Sequence, residues 1–196
     1  VTWGLDRIDQ ISRPLSTTYN YTSTGSGVDA YVIDTGILGT HTEFTSRMNP
    51  GFSAIGNAAD TTDCNGHGTH VSGTIGGSTY GVAKAVSLVP VRVLDCAGSG
   101  STSGVIAGIN WAITNHTAGV PAVLNLSLGG GASALLDTAV RNAIADGIVV
   151  VVAAGNDGNE TDTALHNACL YSPAREPQAI TVGSSTSNDA RSGFSN

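Results

Sequence analysis

Short apolar stretches alternate with amphipathic stretches along most of the chain, and this alternation predicts its secondary structure. The clearest strand is 28–33, which is rich in β-branched and aromatic residues and stops at the turn sequence Asp34-Thr35-Gly36. Residues 102–117 are predicted to form a helix, because one helical face carries Val105, Ile106, Ile109 and Ile113. The same criteria predict further strands at 86–94, 123–126, 148–154 and 179–182, and further helices at 67–76 and 133–146.

Residues 1–25 and 37–63 carry no such pattern. Both stretches are polar and rich in turn-forming residues. We expect the first to be an irregular arm over the surface and the second to be mostly loop.

Apolar strands separated by amphipathic helices predict an α/β fold, an open, mostly parallel, doubly wound sheet with helices on both faces. The 196 residues show no internal repeat and no linker, which suits one domain. Ligands of such sheets bind beyond the carboxyl ends of the strands, and Asp34, Ser127 and Asn156 each follow a predicted strand. We therefore expect the chemistry at this edge.

His67 is the first candidate for chemistry. It lies in Asn65-Gly66-His67-Gly68-Thr69-His70, where small neighbours let other backbone come close. Histidine titrates near neutrality, so one at the entrance of a buried helix suits a general base. A histidine in a helix is more often structural than catalytic, so its neighbours must decide between the two.

Asp34 and Asn156 each have two interpretations. Either can simply cap a turn after a strand. Alternatively, Asp34 orients the His67 imidazole through Nδ1, and Asn156 donates its amide to an oxyanion. A third interpretation of Asp34-Thr35-Gly36 is an aspartic protease, which needs a second such aspartate. The chain has none, and this interpretation leaves the His67 segment unexplained, so we rank it last.

Two glycine-rich segments, 98–101 and 127–131, follow predicted strands. They are either plain loops or open backbone edges that clasp an extended peptide by strand addition. Neither has the spacing of a dinucleotide-binding or Walker loop, which argues against a phosphate cradle.

The composition limits the kinds of partner that the protein is expected to bind. A formal net charge of −7, with Lys84 as the only lysine, argues against nucleic acid and against anionic membranes. No apolar run reaches the roughly 18 residues of a membrane span. An uncharged polar surface with 26 glycines suits a secreted, extracellular protein.

The three cysteines are Cys64, Cys96 and Cys169. Cys64 and Cys96, with His67 and His70, permit a zinc site of loose spacing. In a secreted chain a Cys64–Cys96 disulfide is the stronger expectation, and it would tie the loop before His67 to the 98–101 segment.

Four motifs in order, 34–36, 65–71, 127–130 and 153–156, resemble those of the subtilisin-like serine proteases, and Phe194-Ser195-Asn196 fits as well. The similarity extends through essentially the whole chain. Within the family, the segment 3–9 and Cys64 are similar to the proteinase K group and especially its secreted bacterial members.

The resemblance implies a secreted, monomeric serine endopeptidase made with a pro-segment and acting on peptides or proteins. Asp34 would be the triad aspartate, His67 the general base and Asn156 the oxyanion donor. The substrate would lie between two backbone segments, Gly98, Ser99, Gly100 and Ser127, Leu128, Gly129. The specificity pocket would be lined by Ala153, Ala154 and Gly155, whose small size suggests room for a large apolar or aromatic side chain.

One feature of the family does not occur here. Its nucleophilic serine lies in a downstream Gly-Thr-Ser-Met-Ala segment that this sequence lacks, and the order Asp, His, Ser would place it after Asn196. In the bacterial relatives, the equivalent of Cys169 pairs with a cysteine further on. We therefore expect 1–196 to be the N-terminal part of a single peptidase domain, inactive alone, whose serine segment comes from a longer chain or a second C-terminal polypeptide. The alternative is a non-catalytic, peptide-binding relative.

The resemblance also implies structural calcium. Carbonyls of Pro177 and Ala179 match one site; Asp6, Asp9 and Gln10 match part of a second, with Ser16 in place of an aspartate. Asp60 and Asp63 match a third, in which Gly56 and Ala58 replace acids. Because calcium needs several oxygen ligands, we expect fewer ions than in close relatives.

Overall fold

The computed structural model describes residues 1–196, which form four α-helices and eight strands. The helices are α1 (Trp3–Ile8), α2 (His67–Gly76), α3 (Thr102–Asn115) and α4 (Ala134–Ala145). The strands are β1 (Asp29–Asp34), β2 (Phe52–Ser53), β3 (Ser87–Arg92), β4 (Ala122–Leu126), β5 (Gly130–Gly131), β6 (Val149–Ala153), β7 (Tyr171–Ser172) and β8 (Ile180–Val182).

Six strands form one sheet in the order β2-β3-β1-β4-β6-β8, and every pairing in it is parallel. The remaining two, β5 and β7, pair antiparallel as a separate two-residue ribbon. The predicted parallel α/β sheet is thus confirmed, with β1 in its interior. No helix is long and apolar enough to cross a bilayer.

Both faces of the sheet carry helices. Alternate residues of a strand point to opposite faces, so Tyr31 and Ile33 join the core under α3 and α4, whereas Ala30 and Val32 face α2. The first core is the larger, with 18 buried residues against six.

The face under α2 is open beyond β1. On the opposite face, Leu124 of β4 and Val150 of β6 are buried. On this face, Val149 of β6 is 48% exposed and Val182 of β8 is 51% exposed. An apolar groove of about 700 Å³ lies here, and Val151 lines it. This face therefore exposes apolar side chains of the kind that another layer of the fold usually covers.

The prediction for residues 1–25 was wrong in one respect, because six of them form α1. Leu5 and Asp6 of this helix are buried, so tertiary contacts hold it. The arm is also tied to a distant turn: Arg7 Nε donates to Asp189 Oδ1 at 2.6 Å, and Arg13 Nη1 donates to Asn188 Oδ1 at 2.9 Å.

Candidate active site

The end of β1 and the start of α2 bring Asp34 and His67 together. The Nδ1 atom of His67 lies 2.8 Å from Asp34 Oδ1 and 3.0 Å from Oδ2. Asp34 is fully buried and also accepts the Thr35 N–H at 2.7 Å, whereas the His67 side chain is 48% exposed. Since Nδ1–H donates to the carboxylate, Nε2 is left as the basic nitrogen on the accessible ring, which is the arrangement of a general base with an orienting carboxylate.

Two glycines make this approach possible. Gly66, just before α2, has φ +103°, a left-handed conformation that glycine adopts without strain. A Cβ on Gly68 would lie 2.2 Å from the Gly36 carbonyl oxygen and 3.1 Å from Asp34 Oδ1. Any side chain there would push α2 away from Asp34.

Asp63 organises the loop that leads into α2. Its carboxylate accepts five hydrogen bonds, from the N–H groups of Asn65, Gly66 and Thr69 and from the hydroxyls of Thr35 and Thr69. Burial alone would raise the pKa of Asp63, but these bonds outweigh it and lower the pKa to about 2. The loop before His67 is therefore held by a carboxylate that is charged at neutral pH.

The expected Cys64–Cys96 disulfide is present. It joins the loop before His67 to residues 95–99, and the Asn65 amide strengthens the link by donating to the Cys96 carbonyl at 2.9 Å. Both sulfurs are consumed by this bond, and no three His, Cys, Asp or Glu side chains are grouped as metal ligands. The alternative of a zinc site is not supported.

Asn156 lies in the turn that follows β6. It is exposed, its side chain makes no hydrogen bond within the chain, and the preceding Gly155 has φ +109°. The amide is thus free to donate to a bound group at the same edge of the sheet.

The predicted substrate-binding residues line two adjoining cavities. A cleft of about 530 Å³ is lined by His67, 98–100 and 127–131. A side pocket of about 290 Å³ is lined by 127–131 and 153–157. The sequence had not indicated several other lining residues, among them Leu94, Val105, Leu136, Tyr171, Ser172 and Ala174. Their apolar or turn-like settings gave no signal of a site.

The N-terminal residues matched to calcium ligands lie together. Asp6 accepts the N–H groups of Ser16 and Thr17, and Gln10 Oε1 also accepts the Ser16 N–H. Asp9 Oδ1 is buried without a hydrogen-bond partner. Protein donors thus occupy much of this pocket, but one buried carboxylate oxygen there still fits a cation.

The residues of the other two predicted calcium sites are less suited to binding a cation. Asp60 Oδ2 is 3.3 Å from Arg92 Nη1, and the Asp63 oxygens are occupied as described above. Pro177 and Ala179 lie between β7 and β8 with no group of carboxylates around them.

Known proteins resemble this chain closely. An extracellular serine proteinase of Thermus sp. strain Rt41A is 63% identical over 195 residues, which are 100% of this chain and 45% of that protein. Alkaline serine exoprotease A of Vibrio alginolyticus is 57% identical over 194 residues, 99% of this chain and 35% of that protein. The chain therefore spans about half, or less, of the length of these curated relatives.

A solved structure agrees with the fold. The crystal structure of a cold adapted subtilisin-like serine proteinase matches with a TM-score of 0.92 at 55% identity, covering 100% of this chain and 68% of that one. The sequence profile of the Subtilase family matches residues 25–196. From the geometry and these matches together, the chain belongs to the subtilase family of serine proteases.

Proposed function

We propose that the whole protein is a secreted serine endopeptidase. The observation that carries this proposal is the pair of Asp34 and His67, with Nδ1 at 2.8 Å from a fully buried carboxylate and the ring open to a cleft. The name of the Thermus relative, an extracellular proteinase, supports secretion.

The chemistry follows from the three side chains at this edge. His67 Nε2 takes the proton of a serine hydroxyl as that oxygen attacks the peptide carbonyl, and later gives it to the leaving amine. Asp34 holds the tautomer and stabilises the imidazolium. Asn156 donates to the oxygen that becomes negative in the tetrahedral intermediate.

The substrate would bind as an extended strand between 98–100 and 127–129, with one side chain in the side pocket. Ala153, Ala154 and Gly155 line that pocket, which has a volume of about 290 Å³. This volume supports a preference for a large apolar or aromatic side chain before the scissile bond.

The serine would come from a segment outside these 196 residues, so that 1–196 is the N-terminal part of one domain. The open face beside α2 supports this. Its valines suit a covered parallel sheet, and the groove of about 700 Å³ runs from α2 towards β6. A helix of the same domain would fill it.

Labelling the whole protein with a sulfonyl fluoride, followed by intact mass measurement, tests the proposal. We expect one adduct on a polypeptide that carries the serine, and no adduct in the matched variant His67→Ala. An unlabelled protein that still binds peptides would indicate a non-catalytic relative instead. Inhibition by an aspartate-directed compound, without sulfonyl labelling, would favour an aspartic protease.

We also propose that calcium has a structural role at the N-terminal pocket, where Asp9 Oδ1 is buried and unpaired. The pairing of Asp60 with Arg92 argues against an ion at Asp60 and Asp63. Calcium titration by calorimetry should give fewer than three tight sites. Three tight sites would contradict the expectation.

A further inference from the structure

The ribbon of β5 and β7 forms the wall shared by the cleft and the side pocket. Gly130 pairs with Ser172 and Gly131 with Tyr171, and residues 129–131 line both cavities. Both β5 residues are exposed glycines, and a Cβ on either would meet no atom within 4 Å. Because β5 has no side-chain packing of its own, its position depends on β7.

One buried carboxylate holds β7 from behind. Asp137, in the first turn of α4, is 4% exposed. Its Oδ1 accepts the hydroxyl of Ser172 at 2.6 Å, and its Oδ2 accepts Arg175 Nε at 2.7 Å. The Ser172 oxygen in turn accepts the N–H of Ser133, the residue that caps α4, at 2.9 Å.

These contacts make a rigid connection from α4 to the wall. Ser172 is fully buried, and hydrogen bonds to an ionised group are stronger than neutral ones. No other side chain bonds to Ser172, so its polar side-chain contacts within the chain all lead to α4 or its cap. The Asp34–His67 pair is held separately by β1 and α2.

We infer that Asp137 is a positioning residue for substrate selection: it sets, through Ser172 and β7, the width of the pocket that receives the substrate side chain. This inference rests on the proposed function. A shift of β7 alters the fit of a large side chain in the pocket but leaves the proton transfer at His67 intact.

The test uses the whole protein and two peptide nitroanilides that differ only in the residue before the scissile bond, Phe or Ala. In Asp137→Asn and in Ser172→Ala, we expect KM for the Phe peptide to rise about tenfold, the scale of one lost charge-assisted hydrogen bond. For both peptides kcat should stay within about twofold, as should KM for the Ala peptide. In the double variant, the ratio of KM between the two peptides should change no more than in Asp137→Asn alone, because both substitutions act on the hydrogen bond between Ser172 and Asp137.

Arg141→Gln is the matched control. Arg141 Nη1 reaches Glu176 Oε2 at 2.6 Å, so it ties the same helix to the same segment without touching β7. Its ratio of Phe to Ala kinetics should equal that of the wild type. If Asp137→Asn fails to fold, the test uses Ser172→Ala alone, because this variant keeps the ion pair between Asp137 and Arg175.

The outcomes separate the two proposals. An active wild type whose variants change both peptides equally, or only lower kcat, overturns the role of Asp137 alone, as does an altered ratio in Arg141→Gln. A wild type that hydrolyses neither peptide overturns the proposed function and this inference together.

Discussion

Asp34 lies at the end of β1 with both oxygens within reach of His67 Nδ1. Asp34→Asn keeps the shape but favours the wrong imidazole tautomer, so we expect kcat of the whole protein to fall about 10⁴-fold with little change in KM, which is the scale of this substitution in Ser-His-Asp triads. Steady-state kinetics on one peptide substrate measures this. Asp29→Asn, at the other end of the same strand, should have near wild-type kinetics, and an equal loss there would point to a general effect on β1.

Gly68 is required by the close approach of α2 to the Asp34 turn. In Gly68→Ala, the new Cβ would lie 2.2 Å from the Gly36 carbonyl oxygen. We expect the free energy of unfolding to fall by about 1–3 kcal/mol, the usual cost of overpacking, together with most of the activity. Urea unfolding and peptide hydrolysis measure the two effects.

The same helix offers a control. A Cβ on Gly73 would meet no atom within 4 Å, so Gly73→Ala should stabilise the protein by up to about 1 kcal/mol through helix propensity. Equal behaviour of the two variants would contradict a steric role for Gly68.

At this scale, sequence reasoning found the residues that are marked by type and position. Asp34 follows an apolar strand and His67 starts a glycine-rich helix, so both could be proposed directly. Asp137 and Ser172 could not, since an aspartate in a helix and a serine before a proline have no distinguishing pattern. Their meeting depends on how α4 packs against a segment some 35 residues away.

At the scale of the elements, His116 connects α3, α4 and the segment just before β4. His116 follows α3, and its side chain is 3% exposed. Its Nε2 faces the Val120 carbonyl at 2.8 Å, just before β4, and its Nδ1 faces Asp146 Oδ2 at 2.7 Å, at the end of α4. Both nitrogens meet acceptors, so both bonds form only with the imidazolium. The Val120 carbonyl and then Asp146 raise the pKa of His116.

This contact predicts a pH-dependent stability. Because the pKa is higher in the folded protein than the usual 6.5 or so of an unfolded chain, the stabilisation is complete below about pH 6 and is lost as pH rises through the folded-state pKa. His116→Gln should therefore lower the free energy of unfolding by about 1–2 kcal/mol at pH 5.5, and by less at pH 9.

Urea unfolding at both pH values measures the difference. His166→Gln serves as control, because His166 is half-buried and its ring bonds only to the Glu160 carbonyl. A gap between His116→Gln and wild type that grows towards pH 9 would contradict the assignment.

The helices of ten residues or more and the strands built from apolar runs were predictable, because length or composition marks them in the sequence. Helices α2, α3 and α4 and strands β1, β3, β4, β6 and β8 lie within about two residues of their expected ends. The short elements α1, β2, β5 and β7 were not predicted. Strands β2, β5 and β7 have only two residues each and α1 has fewer than two helical turns, so none of them is long enough to show a period, and β5 is two glycines whose pairing depends wholly on β7.

For the molecule as a whole, the open groove beside α2 gives a direct test of the domain proposal. Val151 lines it, from a strand whose other face is fully packed. If a further segment of the protein covers the groove, Val151→Asp buries an unpaired charge and should destabilise the whole protein by about 3 kcal/mol or more. Thermal unfolding of the whole protein measures this.

A matched surface change separates coverage from a general effect of charge. Leu135 is 75% exposed on α4, so Leu135→Asp should change the stability by less than about 0.5 kcal/mol. An equally small effect of Val151→Asp would show that the groove stays open to solvent.

The strand order also determines how the chain must assemble. The strand nearest the N-terminus, β1, lies in the sheet interior, and Asp29 pairs with Ser87 on one side and with Ala122 on the other. Contacts so distant in sequence require large loops to close before they stabilise anything, which makes folding slow. Until β4 has been synthesised and has docked, β1 keeps one unpaired, largely apolar edge that invites aggregation. A chain of this topology therefore gains from any template that holds β1 and β3 together early.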